Sequence, residues 1–319
     1  MKQQFVRDIK PGDVVDAVFV AAEKSLSHKK DGSPYLSLSL TDRTGSVKAV
    51  AWDDADKLSK GFGVGDHVRV AGRASEYRND LQLIVQSITQ PAPDTVDPAD
   101  FLPATERDTD QMLDRLVKLS RTVKTPCLLD LFEAFWKDDD FVKGLKTSPA
   151  AKKMHHAYLG GLIEHTLSVA LLADTVAGHY KRIDRDLLLA GAILHDIGKI
   201  DEFDYRGRID YSDVGRLLSH IVTGVRMLDD KLAGLADFPD NTALLLRHLI
   251  VSHHGSREFG SPEPPKTLEA VLLHYLDEID AKINGIRTFM DGEDPAQAWT
   301  SYHKVLERFF FKGRREQDA

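Results

Sequence analysis

The chain has 319 residues, 42% of them hydrophobic and 29% charged, a balance that excludes a disordered polymer and leaves room for two packed domains. Its single cysteine, Cys127, excludes an internal disulfide framework and a multi-cysteine zinc site, and is expected to be a small buried apolar residue. Net charge is −8, with 13 Lys and Arg against 12 Asp and Glu in residues 1–90 and 29 against 38 beyond them, so a polyanion must be held by local cations, aromatic stacking or metal ions rather than by a global field.

The first residues, Met1 to Asp8, carry no apolar leader core, and no run approaches the roughly 18 apolar residues of a membrane span, so a cytoplasmic protein with no membrane partner is expected. Residues 14–90 read as short strands. Leu36, Leu38 and Leu40 alternate with Ser37, Ser39 and Thr41; after a turn at Asp42 to Gly45, Val47, Ala49 and Ala51 alternate with Lys48, Val50 and Trp52, which predicts a hairpin. Asp53 to Lys60 fits a short helix, and His67 to Ala74 and Leu81 to Ile88 supply further strands around a turn at Arg78 to Asp80. Five strands with a helix between the third and fourth resemble an OB-fold barrel of the nucleic-acid-binding kind. On such a barrel Tyr35, Trp52 and Tyr77 are candidate stacking residues. Lys24, Lys29, Lys30, Lys48, Arg73 and Arg78 are candidate phosphate contacts, since a stacked base is worth about 1–3 kcal/mol and offsets a weak field.

Proline-punctuated residues 91–109 form a linker between a first domain at 1–90 and a second at 110–319, where the period becomes helical at Met112, Leu113, Leu116 and Leu119 and again from Leu128 to Trp136. No comparable strand pattern returns. Metal-ligand residue types then recur at helix edges: His165 three residues after Leu162 on an apolar stripe, His195-Asp196 behind Ile193-Leu194, His220 after Leu217-Leu218-Ser219, His253-His254 closed by Gly255, and Asp277 between Leu268 and Ile286. Gly198 is expected to give an abrupt exit from the helix ahead of it, and Lys199 to bring a flexible cation near a bound anion. On the helix of Asp277, Val271, Leu272, Tyr275, Ile279 and Ile283 form the apolar side, while Asp277, Asp280 and Asn284 share another stripe, so that Asp280 can orient a ligand from behind.

His165, His195-Asp196 and Asp277 resemble the four ligands of the HD-domain metal-dependent phosphohydrolases, whose fold is a helical bundle; His220, His253 and His254 match the added ligands of two-metal members. The resemblance implies one ion on His165, His195, Asp196 and Asp277, and a second on bridging Asp196 with His220, His253 and His254. An OB-fold ahead of an HD domain, with the stretches Glu164-His165-Thr166, Ser252-His253-His254-Gly255 and Leu273-His274-Tyr275-Leu276-Asp277, resembles the bacterial YhaM-type 3′→5′ exoribonucleases. That family implies two divalent ions, Mn²⁺ favoured with Fe²⁺, Co²⁺ or Zn²⁺ as alternatives. It also implies a single-stranded RNA substrate, single-stranded DNA as a further candidate, and a homo-oligomer. Lys199 and Arg216 are then expected at the phosphates, and His155 and His156 along the substrate path. Two rivals are a hydrolase of signalling nucleotides, disfavoured because Gly260-Ser261-Pro262 lacks the tyrosine of its Gly-Tyr-Pro signature, and a non-catalytic single-strand-binding protein.

Overall fold

The structure, a computed structural model, describes residues 2, 4–77, 80–92 and 96–313. The alternating segments form β1 (Val14–His28), β2 (Pro34–Asp42), β3 (Gly45–Ala51), β4 (His67–Tyr77) and β5 (Asp80–Thr89), closed into a barrel in the order β1-β2-β3-β5-β4. The three leucines of β2 pair with the small residues of β3, Leu36 with Ala51, Leu38 with Ala49 and Leu40 with Val47, so large and small side chains alternate in the core around Phe19, Val70 and Leu83. A short helix, α1 (Ala55–Ser59), separates β3 from β4, and β3 pairs with β5 in parallel. This is the OB-fold expected.

The strands are not all short: β1 runs for 15 residues. Its register shifts between Ala21 and Glu23, so its first half pairs with β4 and its second with β2, and the bulge breaks the alternation that would have revealed one strand. A second shift falls between Ala71 and Gly72, where a Cβ on Gly72 would lie 2.2 Å from the Ile84 carbonyl oxygen.

The helices are α2 (Thr109–Ser120), α3 (Pro126–Trp136), α4 (Asp139–Thr147), α5 (Gly161–Ala177), α6 (Arg185–Leu194), α7 (Lys199–Glu202), α8 (Asp213–Leu232), α9 (Asp240–Ser252) and α10 (Leu268–Asp291). Two two-residue strands, β6 (Phe203–Asp204) and β7 (Asp210–Tyr211), interrupt this region, too short to leave any alternating pattern. The chain forms two compact units, Met1–Ala104 with Asp204–Asp210, and Thr105–Phe203 with Tyr211–Ala319. Every residue of α6 from Leu187 to Leu194 is buried, and α5 is buried on most sides, because these two helices are the centre of the second unit. Cys127 is half-buried against that core.

Helix α10 corrects the expectation for its apolar side. Val271, Tyr275, Ile279 and Ile283 are exposed, and the buried face carries Ala270, Leu273, Leu276 and Asn284. The helix is apolar on two faces, and the core takes the one that also carries Asp277 and Asp280. Among the described residues no helix is long and apolar enough to cross a membrane.

Candidate metal centre and nucleic-acid face

The buried helices end where the ligand-type residues begin. Helix α6 stops at Leu194, so His195 and Asp196 fall on the turn into α7 at the centre of the unit, both fully buried. His165 lies in the second turn of buried α5, and His253 and His254 leave the end of α9. Helix α8 is broken at Ser219 (φ 62°, ψ 163°), a left-handed conformation uncommon for serine, and His220 starts a new helical run there. Glu202 holds that start: its Oε1 accepts the backbone N–H of His220 at 3.0 Å and its Nδ1–H at 2.9 Å.

All five histidines are oriented the same way. Nδ1–H is donated by His195 to the Ala192 carbonyl (3.0 Å), by His253 to Ile250 (2.7 Å), by His254 to Phe259 (2.9 Å), by His165 to Asp280 (2.7 Å) and by His220 to Glu202. A carbonyl or carboxylate only accepts, so in the neutral ring the tautomer follows, and each Nε2 then carries the lone pair. These nitrogens converge on Asp196. Its Oδ2 lies 3.4 Å from Nε2 of both His165 and His195; its Oδ1 lies 3.6 Å from Nε2 of His220 and 3.5 Å from that of His253. Asp277 Oδ1 closes the first group, 3.2 Å from His165 and 3.9 Å from His195, and His254 joins His220 and His253 in the second.

The residues fit two divalent cations. Ligands at about 2.0–2.2 Å from one ion are about 3.0–3.5 Å from each other, close to the spacings here. Asp196 Oδ1 and the Nε2 atoms of His220 and His253 are buried without a hydrogen bond, a costly arrangement unless something electropositive sits among them. The lone pairs of His165 and His195 face each other at 3.1 Å. Burial opposes charge on His165, yet Asp196, Asp277 and Asp280 hold its pKa well above the usual range, so the local field favours a positive charge there. Burial likewise opposes ionisation of Asp196, but Lys199, His195 and His165 keep its carboxyl well below the ordinary carboxylate range. His254 is pushed the other way, down to about 3 by burial and then by His253 and His220, and is a neutral donor at pH 7.

Several expected roles change in detail. Gly198 has φ −64° and ψ −15°, open to any residue, so its glycine is not needed for an abrupt exit. It is needed for space: a Cβ would lie 2.0 Å from the His220 carbonyl oxygen and 2.5 Å from the Gly224 nitrogen. Lys199 is buried, its ammonium 2.6 Å from Asp196 Oδ2, so it stands beside the ligand rather than free at the mouth. Arg216 is exposed, its Nε 3.4 Å from the Tyr211 carbonyl. Asp280 stands behind a ligand-type residue as expected, and that residue is His165; it also accepts from His156 Nε2 (2.9 Å) and the Ser168 hydroxyl. Burial pushes the Tyr158 hydroxyl up to about 12, and it lies 2.8 Å from His156 Nδ1 as donor. Asp280→Asn is therefore expected to lower affinity for the first ion by about 10–100-fold, read by metal titration; unchanged affinity would remove Asp280 from the support of His165.

Three supporting residues escaped sequence reasoning. Glu202 holds His220, Ser168 holds Asp280, and His274 donates Nδ1–H to the His253 carbonyl at 2.8 Å. The His274 ring fills the space where a Cβ on Gly255 would stand, 2.3 Å away, and Gly255 has φ +81°. Only the single Gly255 after His253-His254 hinted at such packing.

On the barrel, the rings of Tyr35 and Trp52 lie 5.2 Å apart, half-buried and exposed respectively, and the Lys29 ammonium is 5.3 Å from the Trp52 ring. Exposed Lys30 lies on the adjoining turn. Tyr77 is not part of that cluster: it pairs with Asp80 at the far end of β5, where Lys48 meets Asp80 at 3.2 Å. Arg73 is exposed on β4, and Arg78 lies outside the described residues. Lys24 is not a phosphate contact; its ammonium binds the Ser59 and Phe62 carbonyls over the Phe62 ring, closing the chain after α1.

An OB-fold barrel joined to a helical unit with this donor set defines the class, and the two family models that match agree: an OB-fold nucleic acid binding domain over residues 20–90 and an HD domain over residues 162–282. The chain is 34% identical over 303 residues to a protein of Bacillus licheniformis named 3′-5′ exoribonuclease YhaM, covering 94% of this chain and 95% of that one. Proteins of the same name from Bacillus subtilis (32% over 302 residues, 94% and 95%) and Oceanobacillus iheyensis (32% over 308 residues, 96% and 96%) are similarly close. The chain belongs to the YhaM 3′-5′ exoribonuclease family.

Proposed function

We propose that the protein is a metal-dependent 3′→5′ exoribonuclease acting on single-stranded RNA, with Mn²⁺ as its working metal, in the cytoplasm. The observation that carries the reading is one carboxylate, Asp196, facing two groups of oriented imidazoles through its two oxygens. Ions held by these groups would supply charge neutralisation at a phosphodiester and acidify an attacking water. Mixed imidazole and carboxylate donors suit Mn²⁺, Fe²⁺, Co²⁺ or Zn²⁺ better than Mg²⁺, which prefers an oxygen shell.

The remaining work belongs to the chain. His165, His195, Asp196 and Asp277 hold the first position, and His220, His253 and His254 with Asp196 the second. Lys199 orients Asp196 in the free protein and is close enough, on a flexible stem, to meet a phosphate oxygen when one enters; exposed Arg216 serves the neighbouring phosphate. His155, held neutral at pKa about 3 by burial and then by Lys199 and His165, lines the path without adding charge. Tyr35, Trp52, Lys29 and Lys30 receive the upstream RNA, with Lys48, Arg73 and Tyr77 as further contacts and single-stranded DNA as a second substrate.

With Mn²⁺, 5′-labelled single-stranded RNA is expected to shorten as a ladder from its 3′ end. Trp52→Ala should weaken binding of a long strand by roughly 5–100-fold, the loss of one stacked base, and leave hydrolysis of a small model phosphodiester unchanged. Internal cuts, or intact RNA with the ions bound, would overturn the exonuclease reading; equal loss on both substrates would overturn the role of the barrel.

A further inference from the structure

The loop between α4 and α5 places two adjacent histidines in opposite circumstances. Every polar atom of His156 is paired: its N–H donates to Asn284 Oδ1 (2.9 Å), its carbonyl accepts from the N–H groups of Tyr158 (2.9 Å) and Ala150 (3.1 Å), its Nε2–H donates to Asp280, and its Nδ1 accepts from the Tyr158 hydroxyl. Neither ring nitrogen of His155 has a hydrogen-bond partner among the described residues. Its ring lies 6.0 Å from that of His165 and 6.4 Å from that of His156, and the charges acting on it include Lys199, Asp277 and Asp196. His156 thus stands behind His165, on the side of Asp280, whereas His155 faces the groups gathered around His165 Nε2.

The backbone is strained to keep it there. His156 has φ +49°, a left-handed conformation uncommon for histidine, and such outliers persist only where the surroundings over-determine them. Gly161 makes the turn possible, since a Cβ on it would lie 2.1 Å from the His156 carbonyl oxygen. A strained residue held on every side fixes the direction of the residue before it. What it fixes here is a half-buried imidazole, turned to the metal centre with both nitrogens open to an incoming group.

We infer that His155 reads the 3′-terminal hydroxyl of the strand, so that the site accepts a chain end in preference to an internal nucleotide; the inference rests on the exonuclease reading above. The chemistry of the ring selects a hydroxyl. An imidazole half-buried beside a lysine is neutral near pH 7, and a neutral ring carries one N–H and one lone pair. Phosphate oxygens only accept, and Lys199 and the ions already serve them. A hydroxyl can meet either nitrogen, as acceptor of the N–H or as donor to the lone pair. The hydroxyls of an RNA strand are those of its sugars, and the 3′-oxygen is a hydroxyl only at the terminal nucleotide, being esterified in every internal one. It is therefore the group by which a site can tell a 3′ end. A site built to hydrogen-bond a hydroxyl rejects the analogue that lacks it, because its own polar group is then left without a partner.

Single-turnover removal of the last nucleotide with Mn²⁺ tests this on three RNA strands, ending in a ribonucleotide, in its 3′-deoxy form and in its 2′-deoxy form. On the wild-type protein the 3′-deoxy end should be removed about 10-fold more slowly than the natural end, and the 2′-deoxy end within about 3-fold of it. His155→Ala should slow the natural end to the 3′-deoxy rate and so abolish the difference between them. His155→Gln, which keeps a donor and an acceptor, should restore part of it. Metal titration should find the wild-type content in both variants, which a ligand or a residue that merely holds the fold would lower. Equal slowing of all three strands by His155→Ala would overturn the role of His155, as would lowered metal content or discrimination against the 2′-deoxy end instead. Internal cuts, or a natural strand left intact, would overturn the exonuclease reading and this role with it. A natural strand that shortens from its 3′ end no faster than the 3′-deoxy one would overturn the role of His155 alone.

Discussion

Asp196→Asn is expected to remove RNA hydrolysis by a factor on the order of 10⁴ or more, about 5.5 kcal/mol of barrier, in a protein that still folds. Both carboxylate oxygens are in use, Oδ2 towards His165 and His195 and Oδ1 towards His220 and His253, so this one residue serves both groups. The amide keeps the size of the side chain, replaces one oxygen with a donor aimed at imidazole lone pairs, and deletes the charge that Lys199 and the ions need. Stability should fall without the fold being lost: the amide relieves the unpaired Oδ1 but leaves the Lys199 ammonium, buried 2.6 Å from Oδ2, without its countercharge. Single-turnover decay of labelled RNA, beside metal content and thermal unfolding, checks the expectation. Activity within tenfold of wild type would remove Asp196 from the centre of the mechanism.

Gly198→Ala has the second-largest expected effect and acts through packing. A methyl group there must displace the His220 carbonyl at 2.0 Å, the Gly224 nitrogen at 2.5 Å and the Thr223 hydroxyl at 2.6 Å, two of which are backbone atoms and cannot swing aside. The start of α7 and the second run of α8 have to part, at a cost of about 3 kcal/mol or more. His220 moves with them, so the second ion should be lost before the first, and metal content should fall from two to one per chain. Gly285→Ala, on α10 with nothing within 4 Å of the new methyl, is the control and should stabilise by roughly 0.5–1 kcal/mol. Equal unfolding temperatures for the two variants would show that the close approach is not needed.

These two variants also mark what the sequence could and could not disclose. The barrel was legible because Leu36, Leu38 and Leu40 alternate without interruption, and the helical unit because period-two alternation ends after residue 90. Strand β1 was not, because around the bulge at its middle three buried residues, Phe19, Val20 and Ala21, follow one another. The ligand-type residues stood out by chemical type, and the structure draws His165, His195, Asp196, His220, His253, His254 and Asp277 together. Their supports did not stand out: Glu202, Ser168 and His274 are common residues whose partners lie 18, 112 and 21 positions away. Gly198 was noticed for conformational freedom, yet its dihedral angles are ordinary and the reason for glycine is a neighbour 22 residues further on. The apolar pattern of α10 was read correctly as a stripe and assigned to the wrong side, because periodicity gives a face but not what the face meets.

The acceptors behind the five imidazoles divide unequally between backbone and side chain. His195, His253 and His254 lean on carbonyls of Ala192, Ile250 and Phe259, which no substitution at those positions removes. His165 and His220 lean on Asp280 and Glu202, one in each group. Each cation position thus has one adjustable setting and the two are separately addressable: basicity at the first can be altered through Asp280 and at the second through Glu202. An engineer wishing to change metal preference at one position without disturbing the other has a single codon to vary for each.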